Sequence, residues 1–216
     1  MKNIVAAAII GTVLGGCSLM PNEKLPTQLG ADQVEMTKEQ GGKFLAFVGP
    51  KLQHTEAFLR VDDTNYFCLR SWLDTRSGEV AHQVYVEDSY YGSPYRWDGA
   101  HDADNKTLRF IAISRNEISC DQGCSYADEF AAALPEDLLR AHRDSGLAVT
   151  FTAQTGKTLA LTVPGLFIAE ELAAVDATRA ALAANAKAAQ AAEPAPAAAP
   201  AAAAPAPTPA ATTPPK

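Results

Sequence analysis

Between Lys43 and Val163 the chain alternates short apolar-rich runs with turn-forming residues, and this rhythm limits the folds open to it. KFLAFVG stops at a Gly-Pro pair, TEAFLRVD at Asp-Asp-Thr-Asn, and YFCLRSWLD at TRSGE, while VAHQVYVED runs into SYYGSPY. KTLRFIAISR, YADEFAAAL, LAVTFTAQ and KTLALTV follow. Runs of this length, rich in β-branched and aromatic residues and bounded by turn residues, read as strands. TAQTGKTLAL reads as a hairpin turning near Thr155-Gly156. About seven or eight closely spaced strands predict a mainly β fold with docked α-helices, an antiparallel β-sandwich or open barrel.

Two segments break the rhythm. LPEDLLRAHRDSG places Pro135 in a first turn, Glu136 and Asp137 at the positive end of a helix dipole, and Gly146 as a stop. After Pro164, GLFIAEELAAVDATRAALAANAK repeats Ile168, Leu172 and Val175 at helical spacing, a stripe fit to dock on a sheet. Beyond Asp176 the stripe thins to alanine, which predicts a helix end that frays into solvent. From Ala188 onward, repeated prolines among alanines leave almost nothing to bury and predict a disordered Ala/Pro tail. Those alanines inflate the apolar fraction of 47%, so the packed domain is confined to residues 43–180 and the tail to 181–216.

The N-terminal end carries a different signal. Lys2 precedes an apolar run from Ile4 to Leu14, followed by Gly15 and Gly16. A positive start, a short apolar segment and small residues form the pattern of an export signal, and the run falls short of the roughly 20 residues a spanning helix needs. Leu14-Gly15-Gly16-Cys17 resembles the lipobox of bacterial lipoproteins. That resemblance covers the leader alone. It implies residues 1–16 as signal peptide, cleavage before Cys17, and acyl chains (diacylglycerol, with palmitate-type chains) on Cys17. Two or more chains make membrane release very slow. Ser18, in place of the Asp that retains many such proteins at the inner membrane, implies the outer membrane, with the domain facing the periplasm. Residues 17–42, with Pro21, Pro26 and a closing Gly41-Gly42, read as a tether with a brief helix near 31–39.

Export also sets the cysteine chemistry. With Cys17 acylated, Cys68, Cys120 and Cys124 remain in an oxidising compartment, so one disulfide and one free thiol are expected. Chain entropy credits a Cys120–Cys124 loop with about 2 kcal/mol and a Cys68–Cys120 loop with about 4 kcal/mol. Proximity favours Cys120–Cys124, with Cys68 as the alternative partner. Three cysteines without paired close spacing do not make a zinc site, and the spacing is not CxxC.

Motifs for catalysis are absent: no GxSxG, no HExxH, no Gly-rich phosphate loop, and no cofactor motif. His54, His82, His101 and His142 are scattered, and a triad assembled in space stays open. Asp98, His101, Asp102 and Asp104 crowd one stretch but lack the spacing of an EF-hand loop, so they read as a polar turn without a metal. Tyr85, Tyr90, Tyr91, Tyr95 and Trp97 form an aromatic cluster, and Tyr90, Tyr91, Tyr95 and Trp97 are the candidate contact surface. Formal charge is −7, and loss of Lys2, the one charged residue of the leader, takes it to −8. An acidic chain without a basic cluster has no footprint for nucleic acid. Lys216 ends the tail as some peptidoglycan-linked lipoproteins end. The expected function is a lipid-anchored envelope protein binding an envelope protein or peptidoglycan; the alternative is an envelope hydrolase.

Overall fold

The computed structural model of the chain describes residues 27–29, 33–121 and 123–192. Cys17 with its leader, the Ala/Pro tail beyond Ala192 and Lys216 lie outside the described residues.

The strands are β1 (Thr27–Leu29), β2 (Glu35–Glu39), β3 (Phe44–Val48), β4 (Lys51–Gln53), β5 (Tyr66–Asp74) and β6 (Val80–Tyr91). They continue as β7 (Trp97–Asp102), β8 (Thr107–Ser119), β9 (Ser125–Leu134), β10 (Leu147–Ala153) and β11 (Thr158–Val163). Two helices, α1 (Glu136–Ala141) and α2 (Gly165–Ala192), complete the fold. All strands join one open antiparallel sheet in the order β1-β4-β5-β6-β9-β8-β7-β10-β11, with β2 and β3 attached at β5. The mainly β, antiparallel architecture with docked helices therefore holds.

The sheet curls so that β10 and β11 face β5 and β6 across one core. Phe67, Leu69, Val84 and Val86 share that core with Val149, Phe151, Leu161 and Val163. Phe130 of β9 lies 4.9 Å from Phe151 of β10, ring centre to ring centre. Along β5 the partner strand is broken: β3 pairs with its second half and β4 with its first. Gly49-Pro50 makes the break, since proline has no N–H for the ladder; the Gly49 N–H reaches the Leu69 carbonyl at 2.9 Å.

Three sequence expectations are corrected. Residues 35–39 form a strand on β3 rather than part of a helix, so the expected tether contributes β1 and β2 to the sheet. An edge offered by β3 supplies the hydrogen bonds that a short isolated helix would lack. TEAFLRVD is a loop rather than a strand, with Leu59 and Arg60 in the left-handed region. Helix α2 runs past Asp176 as far as Ala192, taking in residues 188–192 of the tail expected to be disordered, because alanine has the highest helix propensity. Leu182 still packs against the Leu45–Phe47–Leu73–Val175 cluster.

The α2 stripe docks as its spacing predicts: Ile168, Leu172 and Val175 are buried, each contributing about 1.5–3 kcal/mol. Gly165 permits the approach, since a Cβ there would lie 2.7 Å from the Asp144 backbone. Arg140 of α1 meets Asp176 at 2.8 Å, and Arg179 meets Glu136 at 3.1 Å, clamping the helices together.

The stripe also carries a carboxyl group. Glu171 is 0 % exposed, and its Oε1 accepts the Ser71 hydroxyl at 2.7 Å. His82 Nδ1–H donates to the same hydroxyl oxygen at 2.7 Å. Glu171 Oε2 has no hydrogen-bond partner among the described residues. Burial pushes the Glu171 carboxyl up to about 7. The native state therefore holds a proton that the unfolded chain has released, and the associated stability, present below about pH 4.5, is lost as pH rises through 7. Glu171→Gln, neutral at every pH, should match the parent at pH 4.5 and exceed it at pH 8 by at most about 3 kcal/mol. Urea denaturation at both values measures this; equal pH slopes in parent and variant refute it.

Candidate functional site

The sheet has a weak seam where β7 meets β8. β7 and β8 share two residue pairs, Ala100 with Leu108 and His101 with Thr107. Beyond Leu108, β8 stays with β9 while β7 follows β10. The divergence opens a groove of about 640 Å³ between the two branches. Arg96, Trp97 and Gln154 line one wall, Ala112, Ile113 and Arg115 the other, and Phe110 and Phe130 lie between them.

Each wall is fixed from below. The Trp97 indole N–H donates to Asp88 Oδ2 at 3.2 Å, and its ring stacks on Phe130 at 5.1 Å. Arg96 sits in the left-handed region at φ 59°, and its carbonyl accepts the Gln154 N–H at 3.1 Å. Asp128 is buried, where it accepts the Tyr90 hydroxyl at 2.8 Å and Arg115 Nε–H at 2.9 Å. The hydrogen bond from Arg115 also holds the guanidinium more firmly protonated than usual. Asp88 stands directly opposite Asp128 in the β6–β9 ladder. Burial first, and then the neighbouring carboxylates, push Asp88 up to about 6. The groove thus presents aromatic rings and a half-exposed guanidinium held by a buried acid, while the Asp88 carboxyl supports Trp97 from outside the groove lining.

Along the same groove, no strand of the described residues pairs with the outer edge of β8 beyond Leu108. Its ladder to β9 slips at Ala112/Ser114 and again at Glu117/Ser119. These bulges turn Ile113 and Ile118 outward, where both are exposed.

The aromatic cluster divides. Tyr90 and Trp97 are buried, Tyr95 is half-buried, and only Tyr91 is exposed, so the four do not share one open face. Tyr90 and Tyr95 stack at 3.7 Å, and the Tyr90 hydroxyl also accepts the Tyr95 N–H at 3.0 Å. Alternation along β6 sends Tyr90 inward and Tyr91 outward. Cys120 and Cys124 sulfurs lie 2.12 Å apart, at disulfide distance. Cys68 is a buried free thiol, pushed up by burial to about 11, which favours the protonated thiol at neutral pH.

The histidines do not converge. His54 Nε2–H donates to the Glu87 carbonyl at 2.8 Å, His101 Nδ1–H to the Asp102 carbonyl at 2.9 Å, and His142 Nδ1–H to the Gly146 carbonyl at 3.1 Å. The His82–Ser71 contact is a Ser–His pair, but Ser71 is 1 % exposed beneath α2 and its hydroxyl donates its hydrogen bond to Glu171. Asp98 and Asp104 are exposed on either side of a turn. Asp102 makes that turn by accepting N–H groups of Asp104 and Lys106 at 3.0 and 2.9 Å.

Sequence reasoning missed Asp128, Arg115, Phe110 and Phe130. A signal for Asp128 exists: in YADEFAAAL it shares its strand face with Tyr126, Phe130 and Ala132, the parity that faces the core. A carboxylate on that face needs a partner. No family model, no curated protein and no solved structure matches this chain.

Removing the hub should cost stability. Asp128→Ala leaves the Tyr90 hydroxyl and Arg115 without their acceptor and is expected to lower unfolding free energy by about 1–3 kcal/mol. Arg115→Ala, which truncates the more exposed partner, should cost less than Asp128→Ala. Urea unfolding of both variants tests the order, and the reverse order refutes it.

Proposed function

We propose that this chain is a lipid-anchored protein of the bacterial cell envelope, acylated at Cys17 and held at the outer membrane with its β domain toward the periplasm. In this reading the domain binds rather than catalyses, and its ligand is an extended segment of another envelope protein. The lipobox resemblance supports the anchor. The observation that carries the binding reading is the unpaired edge of β8 running beside an aromatic-lined groove. An incoming strand gains main-chain hydrogen bonds from such an edge and side-chain pockets from the groove.

Among the described residues, the best Ser–His juxtaposition is sealed under a helix, which favours this reading over the hydrolase alternative. Peptidoglycan remains the other candidate ligand, and it separates cleanly by experiment.

A photo-crosslinking amino acid at Ala112, on the groove wall, is the test. Irradiated native envelopes should yield discrete protein adducts, and Ile113→Asp beside it should reduce them at least about ten-fold, equivalent to 1.4 kcal/mol. Adducts containing only glycan, or adducts insensitive to Ile113→Asp, refute the strand-addition reading. Cys17→Ser tests the anchor separately: mass spectrometry of the parent protein should find acyl chains on Cys17 as the first residue, which the variant lacks, and an unmodified Cys17 in the parent refutes the acylation.

A further inference from the structure

Among the described residues, four of the seven exposed large apolar side chains stand on one rim of the sheet: Leu59, Val61, Tyr91 and Ile118. The register explains the gathering. Thr27 pairs with Gln53, Gln53 with Tyr66, and Tyr66 with Glu87. Four residues further along β6, Tyr91 pairs with Ser125, which in turn pairs with Ser119. The β4–β5 loop, the end of β6 and the end of β8 therefore project from the same side, and the Phe58 and Tyr91 rings lie 4.8 Å apart. At the opposite rim the turns are polar: Asp74 accepts the N–H groups of Arg76 and Ser77, and Asp102 those of Asp104 and Lys106.

The loop does not let its apolar side chains collapse. Leu59 and Arg60 hold φ of 53° and 60°, outside the range most side chains adopt. Thr64 Oγ1 accepts the Phe58 N–H at 2.8 Å and donates to the Val61 carbonyl at 2.7 Å. Asn65 ties the loop base twice, donating to the Glu56 carbonyl at 2.8 Å and accepting the Ser89 N–H at 2.7 Å. Leu59 and Val61 are thus 64 % and 54 % exposed on a fixed backbone. A strained loop that spends its hydrogen bonds on displaying apolar groups is a preformed contact surface.

The chain itself indicates what covers that surface. Thr27, at the start of β1, enters the sheet on this rim, ten residues after Cys17. Even fully extended, ten residues span about 35 Å. Resting on the acylation reading above, the geometry points to this rim as a second membrane contact, in which Leu59, Val61, Tyr91 and Ile118 enter the interface of the phospholipid bilayer. Tyrosine suits that depth, with its ring in the apolar zone and its hydroxyl among headgroups. Charge supplies no attraction: Lys51 is paired with Asp63 at 3.0 Å, and besides Arg60 the β4–β5 loop carries the acids Glu56 and Asp62. Binding by this rim is therefore apolar, insensitive to salt, and without preference for anionic lipid.

Two measurements separate this contact from the acyl anchor. The chain from residue 17 onward carrying Cys17→Ser, and so without leader or acyl chains, is mixed with phosphatidylethanolamine vesicles with and without phosphatidylglycerol. Its partition should be equal on both and should fall at least about ten-fold with Leu59→Asp/Val61→Asp, while Leu166→Asp, an exposed apolar position off the rim, leaves it unchanged. In the acylated protein on the same vesicles, nitroxides at Leu59→Cys and Ile118→Cys should become accessible to oxygen and shielded from a nickel chelate. A nitroxide at Arg76→Cys on the opposite rim should stay in water. Acylated protein that fails to float with vesicles refutes the anchor and leaves the rim judged by the unacylated partition. Labels at 59 and 118 that match the one at 76, or a partition indifferent to Leu59→Asp/Val61→Asp, overturn the rim contact.

Discussion

A single antiparallel sheet can enclose a core only by curling, and here the curl passes through a ladder of two residue pairs between β7 and β8. The long ladders β5–β6, β6–β9 and β8–β9 make one branch, and β7–β10–β11 make the other. With so few hydrogen bonds at the seam, the branches are held mainly across the core. Phe130 meets Trp97 and Phe151, and Phe110 meets both Phe130 and Phe151. Aromatic contacts of this kind add to ordinary burial, each by about 0.5–1.5 kcal/mol. The same divergence that makes the seam narrow leaves the groove and the open edge of β8, so closure of the core and the candidate site have one origin.

Helix α2 closes the remaining side of the core, and it does so with an unusual mixture. Three aliphatic residues supply burial, while Glu171 between them joins Ser71 and His82 in a buried polar chain. Buried polar groups cost stability unless every lone pair is satisfied, and Glu171 Oε2 is not. The raised Glu171 carboxyl is the direct expression of that cost. At the helix surface the opposite logic applies, and the Arg179 guanidinium first, then that of Arg140, with burial opposing them, hold Glu136 down at about 2. The interior network responds to pH near neutrality, whereas the surface clamp stays charged.

Function, as proposed, distributes over three parts of the sheet that sequence separates. The anchor lies ahead of β1, the apolar rim lies at the β4–β5 loop and the ends of β6 and β8, and the groove lies along the middle of β8. Strand β8 is the link, since its end carries Ile118 on the rim and its middle carries Ile113 and Arg115 beside the groove. A bilayer contact at one end would present the open edge at a set angle to the membrane, which is what a protein that holds another protein in the envelope requires.

The sequence by itself determined the β architecture and the docking stripe of α2, because each follows from periodicity and turn residues; proximity favoured Cys120–Cys124, and the structure chose it over a link to Cys68. It misplaced residues 35–39 and 55–62 because neither segment has a local rule strong enough to decide between helix, strand and loop. The first became a strand when β3 offered it an edge, and the second became a loop when Thr64 and Asn65 supplied its hydrogen bonds. The aromatic cluster was visible, yet which ring faces water depended on strand parity and on partners such as Asp88 and Asp128. Only the tertiary structure decided the groove, the Asp128 hub and the shared rim, since their members come from strands far apart in the chain. Hydrogen-bond register, rather than sequence proximity, brings those strands side by side, and register is set by the whole sheet at once.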